Sequence, residues 1–222
     1  MILQNFVVLE GGDGTGTTTQ LKILQSRLSG QSGVVDAASD PANSAIANPV
    51  THITFEPTNG PIGSLIRQAL HRSPVLQNHT IAHLFAADRN EHLFGESGIV
   101  ERCRRGELVI CDRYVPSSLV YQGLSCADDT AESLNGRFPH PQLILFFELA
   151  PELAAQRYDK RGKQDMFEHL TFQKQVHEAY ERILPAYCRH GTTLIRIDAS
   201  QPIENVAEQV WSALHNLPIF KG

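Results

Sequence analysis

The chain has 222 residues, of which 41% are hydrophobic and 19% are charged. This is ordinary globular composition, with enough length to bury a substantial core, so a single domain over residues 1–222 is expected. The formal net charge of −5 argues against a nucleic-acid partner, because such binding depends on clustered lysines and arginines. The longest apolar runs fall far short of the roughly 20 residues that a membrane span needs. The first run, residues 6–9, is too short for a signal peptide, so we expect a cytoplasmic protein that binds no membrane.

Cysteine and histidine spacing indicates neither disulfides nor a zinc site. The four cysteines lie far apart without a C-x-x-C pair and are expected to be reduced and mostly buried; they are Cys103, Cys111, Cys126 and Cys188. His79 and His83 have the i, i+4 spacing of a metal pair, but no H-E-x-x-H motif and no nearby third ligand accompany them. We therefore favour ordinary surface histidines.

Short apolar runs alternate with longer segments of helical periodicity. Runs this short and continuous favour strands that are buried on both faces of a parallel sheet, and they occupy residues 6–9, 52–55, 108–111, 143–147 and 193–197. Apolar residues recur every three or four positions in residues 21–28, 62–70, 76–94, 151–161, 167–190 and 203–214. The pattern predicts an α/β fold, a parallel sheet sandwiched by helices.

Two segments fit neither pattern. Residues 29–50 are rich in Ser, Gly, Ala, Asn and Pro with little hydrophobic periodicity, which predicts a surface loop or insertion. Residues 157–163 form a basic run that contains Arg157, Lys160, Arg161 and Lys163. A solvated charged turn is the commonest meaning of such a run, whereas in a phosphoryl-transfer enzyme it would be a lid over ATP.

A glycine-rich segment follows the first predicted strand and leads into a helix. Compared with the phosphate-loop pattern G-x-x-x-x-G-K-[ST], Gly11 and Gly16 match, and Thr18 matches the hydroxyl that contacts magnesium. Thr17 stands where the pattern has lysine. The loop's backbone N–H groups are expected to bind phosphate at a helix N-terminus, but a threonine there donates a hydrogen bond without charge, so another cation is needed.

Two further groups of residues suit a nucleotide site. The strand 108–111 ends in Asp112 and Arg113, which places a carboxylate to hold magnesium water and a guanidinium to bind phosphate. Phe85 and Arg89 lie one helical turn apart, and an aromatic plane beside a guanidinium suits a flat base with carbonyl groups. Taken alone, each pair also has a purely structural reading, as an ion pair and as a core phenylalanine beside a surface arginine.

Together these segments resemble thymidylate kinase along nearly the whole chain. The matching pieces lie at residues 10–14 and 18–20, 56–58 and 61–63, 84–93, 112–114, 117–119, 121–123, 161–162 and 197–201. The resemblance implies a three-layer P-loop NTPase fold with a five-stranded parallel sheet, helices on both faces and a mobile lid at 155–168. It also implies a homodimer that uses ATP and Mg²⁺ to phosphorylate dTMP to dTDP.

The resemblance also implies residue roles. ATP would be bound by Gly11, Gly12, Asp13, Gly14, Thr15, Gly16, Thr17, Thr18, Thr19 and Ala199, with Thr18 and Asp112 holding the metal. The substrate site would comprise Glu56, Pro57, Phe85, Arg89, Arg113, Ser117, Ser118, Tyr121 and Gln122. In this reading Phe85 stacks on thymine, Arg89 and Gln122 address its polar edge, and Tyr121 and Ser118 line the sugar side. Catalysis would rest on Asp13, Arg113, Arg157 and Arg161.

Three departures from the family pattern bear on the phosphates. They are Thr17 in the loop, Phe55 where many relatives have arginine, and Met166 after the lid. The lid is then the leading candidate for the replacement charge. Two alternatives to a dTMP kinase remain at this point: a catalytically silent nucleotide-binding module, and a kinase for another nucleotide or a deoxynucleoside.

Overall fold

The computed structural model describes residues 1–29, 48–71, 74–159 and 166–221. Its strands are β1 (Ile2–Gly11), β2 (Thr51–Phe55), β3 (Leu108–Asp112), β4 (His140–Glu148) and β5 (Thr193–Asp198). Its α-helices are α1 (Thr17–Leu28), α2 (Pro61–Leu70), α3 (Asn78–Phe94), α4 (Ile99–Arg104), α5 (Val115–Cys126), α6 (Thr130–Asn135), α7 (Pro151–Asp159), α8 (Met166–Arg189) and α9 (Ile203–His215). A 3₁₀ turn, Pro218–Phe220, follows α9.

The five strands form one parallel sheet in the order β2-β3-β1-β4-β5. The central strand β1 pairs with β3 from Phe6 opposite Val109 to Leu9 opposite Asp112. This confirms the predicted α/β class and the five-stranded parallel sheet. Because parallel strands share a direction, the ends of β1, β2 and β3 meet at one edge, where ligands of such sheets bind.

Alternate residues of each central strand enter two different cores. In β1, Phe6 and Val8 belong to one core and Val7 and Leu9 to the other, and none of the four is exposed. Because successive strand side chains point to opposite faces, burial on both sides requires an uninterrupted apolar run. This is why period-two alternation with polar residues is absent from the strand's sequence.

Helices cover both faces of the sheet. The core of Phe6 and Val8 is closed by α3, α4, α5 and α8, and that of Val7 and Leu9 by α1, α7 and α9. Gln20 ties α1 to α9, since its side-chain amide donates to the carbonyl of Ile203 at 3.0 Å. The three layers confirm the predicted architecture.

Sequence periodicity did not predict α4, α5 or α6, and α5 matters most because it carries part of the site. Six of its residues are buried, among them Ser117, Ser118 and Gln122. A helix that buries polar side chains lacks the apolar stripe that a periodicity search detects. The predicted helix at 21–28 also begins four residues early, at Thr17, because its first turn belongs to the glycine-rich loop.

Several predictions fall partly outside the described residues. These are positions 30–47 of the predicted insertion and 160–165 of the predicted lid, with Arg161 among them.

Cys103 and Cys111 are buried as expected, whereas Cys126 is half-buried and Cys188 is exposed. Across the described ranges, no helix is long and apolar enough to cross a membrane.

Candidate active site

The glycine-rich loop joins the end of β1 to the start of α1. Gly14 and Gly16 have φ of 83° and 95°, a left-handed conformation that glycine adopts at little cost. The hydroxyl of Thr15 donates to the carbonyl of Gly12 at 2.8 Å and braces the loop. Gly16 caps α1 without a side-chain hydrogen bond, and no acidic residue lies in the first turn. The first backbone N–H groups of α1 are therefore available to an anion.

Thr18 and Asp112, the two residues predicted to hold the metal, are in direct contact. The Thr18 hydroxyl donates to Oδ2 of Asp112 at 2.8 Å, although the two residues are 94 positions apart. The second oxygen, Oδ1, is buried and has no hydrogen-bond partner among the described residues. A buried carboxylate oxygen without a donor is the kind of group that a hard cation satisfies. Together, Oδ1 and the hydroxyl fit a magnesium ion.

On one side of the loop lies a cavity of about 350 Å³, the loop cavity. Its walls are loop residues, the start of α1, the segment after β5 and the start of α9: Gly14, Thr15, Gly16, Thr19, Gln20, Arg157, Ala199, Gln201, Ile203 and Val206. The Arg157 guanidinium bridges two walls, with Nη2 donating to the Ala199 carbonyl at 3.0 Å and Nη1 lying 3.5 Å from the Gly14 carbonyl. The positive charge of Arg157 therefore lies at the edge of the loop cavity, next to the loop.

On the other side lies a second cavity of about 370 Å³, the Arg89 cavity. It is lined by Asp13, Glu56, Pro57, Leu70, Phe85, Arg89, Arg113, Tyr114, Ser117, Ser118, Tyr121, Gln122 and Phe172. Apolar and aromatic surface with a few converging polar groups is typical of a small-molecule site. All nine residues that the sequence predicted for substrate binding line it. Leu70 and Phe172 were missed, since nothing in their local sequence marks them, and Tyr114, in the matching segment 112–114, was given no role.

Arg89 and Glu56 form an ion pair that is almost completely buried. The Nε of Arg89 donates to Oε2 of Glu56 at 2.9 Å, and Nη2 lies 2.7 Å from the same oxygen. His92 contacts the other oxygen at 3.1 Å, and Ser118 accepts from Nη2 at 3.0 Å. Separating such a pair would leave each charge buried without a partner, which is strongly unfavourable. Glu56 therefore orients Arg89, in addition to lining the cavity.

Arg113 and Asp13 stand where the two cavities approach each other. Arg113 has a φ of 70°, and its N–H donates to the Leu9 carbonyl at 2.9 Å. Its Nη2 is 2.8 Å from Oδ1 of Asp13, and the guanidinium carbon lies 5.2 Å from the Tyr121 ring centre. Asp13 lines the Arg89 cavity while Gly14, the next residue, lines the loop cavity. The loop is thus a shared wall.

A buried carboxyl group, which sequence reasoning did not single out, holds this edge together. Glu10 accepts hydrogen bonds from the backbone N–H of Tyr114 at 2.9 Å and from the hydroxyls of Ser117 and Tyr180 at 2.7 and 2.9 Å. Burial raises the pKa of Glu10 to about 7, while Ser117, nearby Arg113 and the other donors oppose that rise. Burial likewise raises the pKa of the Tyr121 phenol.

The two histidines at i, i+4 do not act together. The His79 ring lies 2.8 Å from a carboxylate oxygen of Asp128, near the thiol of Cys126, whereas the His83 ring contacts the backbone carbonyl of His79. The predicted catalytic Arg161 lies outside the described residues. The other predicted ATP-side and substrate-side residues all belong to the loop, the helix that follows it or the walls of the two cavities.

A phosphate loop after the first strand of a parallel sheet, with one cavity on each side, defines a P-loop nucleoside monophosphate kinase, a phosphotransferase. Comparison with known proteins specifies the family. The family model described as thymidylate kinase matches residues 9–210, and the chain belongs to the thymidylate kinase family.

Curated relatives match over nearly their whole length. The chain is 40% identical over 224 residues to a putative thymidylate kinase of Treponema pallidum, covering 99% of this chain and 98% of the relative. It is 33% identical to a probable thymidylate kinase of Pyrobaculum aerophilum, covering 97% and 99%. Identity is also 33% with a putative thymidylate kinase of Aeropyrum pernix, with 94% and 96% covered.

Proposed function

We propose that this protein transfers the terminal phosphoryl group of ATP to dTMP, yielding ADP and dTDP. The observation that carries the proposal is the shared wall, because Asp13 and Gly14 are consecutive but line different cavities. Two ligands seated on opposite sides of the loop can bring their phosphates together at Arg113 and Asp13. Phosphoryl transfer depends mainly on such alignment and on charge neutralisation.

On the ATP side, the loop would bind the phosphates and the segment around Ala199 the adenine. Thr18 and Asp112 would hold Mg²⁺, which when bound neutralises phosphate charge and orients the oxygens. The buried and unpartnered Oδ1 of Asp112 supports this assignment. The first-turn N–H groups of α1 would contribute partial positive charge from backbone alone.

On the dTMP side, the roles follow from which groups line the Arg89 cavity. Phe85 offers an aromatic face for the base, and Arg89, which can only donate, suits the carbonyl oxygens of thymine. Gln122 can donate and accept at the same polar edge, while Tyr121 and Ser118 would line the sugar. Arg113 would bind the acceptor phosphate with Asp13 beside it.

The missing loop lysine calls for another cation near the transferred group. Arg157 is the described candidate, since it already contacts the Gly14 carbonyl and the Ala199 carbonyl at the rim of the loop cavity. We propose that Arg157 neutralises the phosphate charge that a lysine at position 17 would otherwise neutralise. A lid at 155–168 and the contribution of Arg161 stay predictions.

A kinase assay with ATP, magnesium and a panel of nucleoside monophosphates tests the proposal. Fastest turnover with dTMP is expected, because the Arg89 cavity combines an aromatic face with donors for carbonyl groups. Binding of ATP without turnover of any acceptor would instead indicate a silent nucleotide-binding module. Preference for another acceptor would indicate a kinase for a different nucleotide or a deoxynucleoside.

We also propose that the protein forms a homodimer, as its family resemblance implies. Helices α2 and α3 expose apolar side chains, with Leu65 36% and Phe94 56% accessible. Burying such side chains between two copies would stabilise a symmetric pair. Light scattering coupled to size-exclusion chromatography should give about twice the 24.6 kDa chain mass, and a monomer mass would refute the dimer.

A further inference from the structure

Asn135, the last residue of α6, lies directly behind Arg89. It is only 4% exposed, and it is not among the described residues that line the Arg89 cavity. It borders instead a separate cavity of about 390 Å³ on the far side. Any effect of Asn135 on a ligand in the Arg89 cavity must therefore pass through a neighbouring side chain.

The orientation of the Asn135 amide is determined by its own hydrogen bonds. Its Nδ2 donates to the carbonyl of Ala131 at 2.8 Å, one turn back in α6. The amide oxygen therefore faces away from that carbonyl, and it accepts a hydrogen bond from Nη1 of Arg89. Because both partners are buried, neither can exchange this bond for one to water without loss.

The remaining contacts of Arg89 show what this bond adds. Glu56 binds Nε and Nη2, and Ser118 accepts from Nη2. Among the described residues, Asn135 is the one that accepts a hydrogen bond from Nη1 of Arg89. Since Nη1 carries two hydrogens, one stays available on the nitrogen that Asn135 holds.

The surroundings explain why this acceptor is an amide. Glu56 already balances the charge of Arg89, so a second carboxylate would leave an excess buried negative charge. An amide supplies an acceptor without that charge, and its N–H₂ end satisfies the Ala131 carbonyl. The rings of Tyr114 and Phe138 flank the guanidinium at 5.2 and 5.7 Å and restrict its other movements.

We propose that Asn135 is a positioning residue for substrate specificity, which fixes the Nη1 end of Arg89 so that its free N–H meets a base carbonyl. This inference rests on the proposed role of Arg89 in binding thymine. A guanidinium held in one orientation favours the carbonyl at position 4 of thymine over the amino group at that position of cytosine, because arginine cannot accept a hydrogen bond.

The test compares Asn135→Leu, which keeps the side-chain volume approximately and removes the acceptor, with Asn135→Ser, whose shorter side chain removes the amide oxygen without adding apolar surface beside Arg89. Val210→Ala is the control, since Val210 lies on α9 and is fully buried in the opposite core. Kinetics with dTMP, dCMP and ATP are measured for each, together with the rise in melting temperature that dTMP produces.

For both Asn135 variants we expect KM for dTMP to rise about tenfold or more, as loss of a charge-assisted hydrogen bond implies. The preference for dTMP over dCMP should fall by a similar factor, and the dTMP-induced rise in melting temperature should shrink. KM for ATP should change less than twofold. Val210→Ala should lower the melting temperature but leave KM for dTMP and KM for ATP unchanged.

A soluble Asn135 variant with wild-type KM and wild-type preference for dTMP would overturn the inference. So would a loss of stability with unchanged kinetics, which is what a merely structural residue gives. The acceptor panel measured on the wild type separates this from failure of the proposed function. If the wild type prefers dTMP and the Asn135 variants keep that preference, only the inference about Asn135 fails, whereas a wild type without dTMP preference puts the proposed function at fault.

Discussion

The pH dependence of stability should carry a contribution from Glu10 that runs opposite to the usual effect of a paired carboxylate. Glu10 is fully buried where β1 meets the phosphate loop. It accepts hydrogen bonds from two backbone N–H groups and from the hydroxyls of Ser117 and Tyr180. Replacing it with glutamine removes the titration while retaining one acceptor oxygen.

The magnitude follows from the difference between the folded and unfolded pKa. Burial raises the pKa of Glu10 from its ordinary 4.5 to about 7, and each unit corresponds to about 1.4 kcal/mol. The folded protein therefore holds this proton more tightly than the unfolded chain does. The resulting contribution to stability is present below about pH 4.5, is lost as pH rises towards 7 and stays lost above it. Between pH 5 and pH 8 the loss amounts to about 2 to 3 kcal/mol.

Urea unfolding of the wild type and Glu10→Gln across pH 5 to 8 measures this directly. Other titrating groups are common to both proteins, so the difference between their free energies of unfolding isolates Glu10. We expect the wild type's free energy of unfolding, relative to the variant's, to fall by about 2 to 3 kcal/mol between pH 5 and pH 8. A difference that stays constant over this range would refute the reasoning and show that the four donated hydrogen bonds keep Glu10 ionised.

Three further predictions concern the site. Arg157→Gln should lower kcat by about ten- to a hundredfold with little change in KM for dTMP, and adding Thr17→Lys should restore part of that loss; unchanged kcat would show that Arg157 supplies no needed charge. Asp112→Asn should raise the magnesium concentration for half-maximal rate at least about tenfold, and an unchanged magnesium titration would exclude Asp112 from the metal site. Phe85→Ala should raise KM for dTMP about tenfold and spare KM for ATP; equal effects on both substrates would contradict a stacking role.

The sequence alone predicted those parts of the molecule whose residues are close together along the chain. Continuous apolar runs indicated strands buried on both faces, and Gly11, Gly16 and Thr18 marked the phosphate loop by their spacing. The helical turn that joins Phe85 to Arg89 was also predictable, because its geometry is local. Family resemblance added the substrate-side residues, and all of them line the Arg89 cavity.

Other features depend on packing between distant segments. Helix α5 gave little periodic signal, because polar side chains such as Ser118 and Gln122 point into the protein. The partners of Glu10 include Tyr180, 170 positions away, and Asn135 meets Arg89 across 46 positions. Sequence spacing carries no record of such contacts, since they arise only when helices dock on the sheet.

The sequence by itself therefore determined the class of fold and the position of the phosphate loop, with Thr17 where the loop pattern has lysine. Only the tertiary structure decided that Arg157 reaches the loop, that Glu56 and Asn135 hold Arg89, and that one loop separates two cavities. The physical reason is that backbone periodicity and turn geometry are local properties. Burial and the pairing of charged groups belong instead to surfaces that the folded chain brings together.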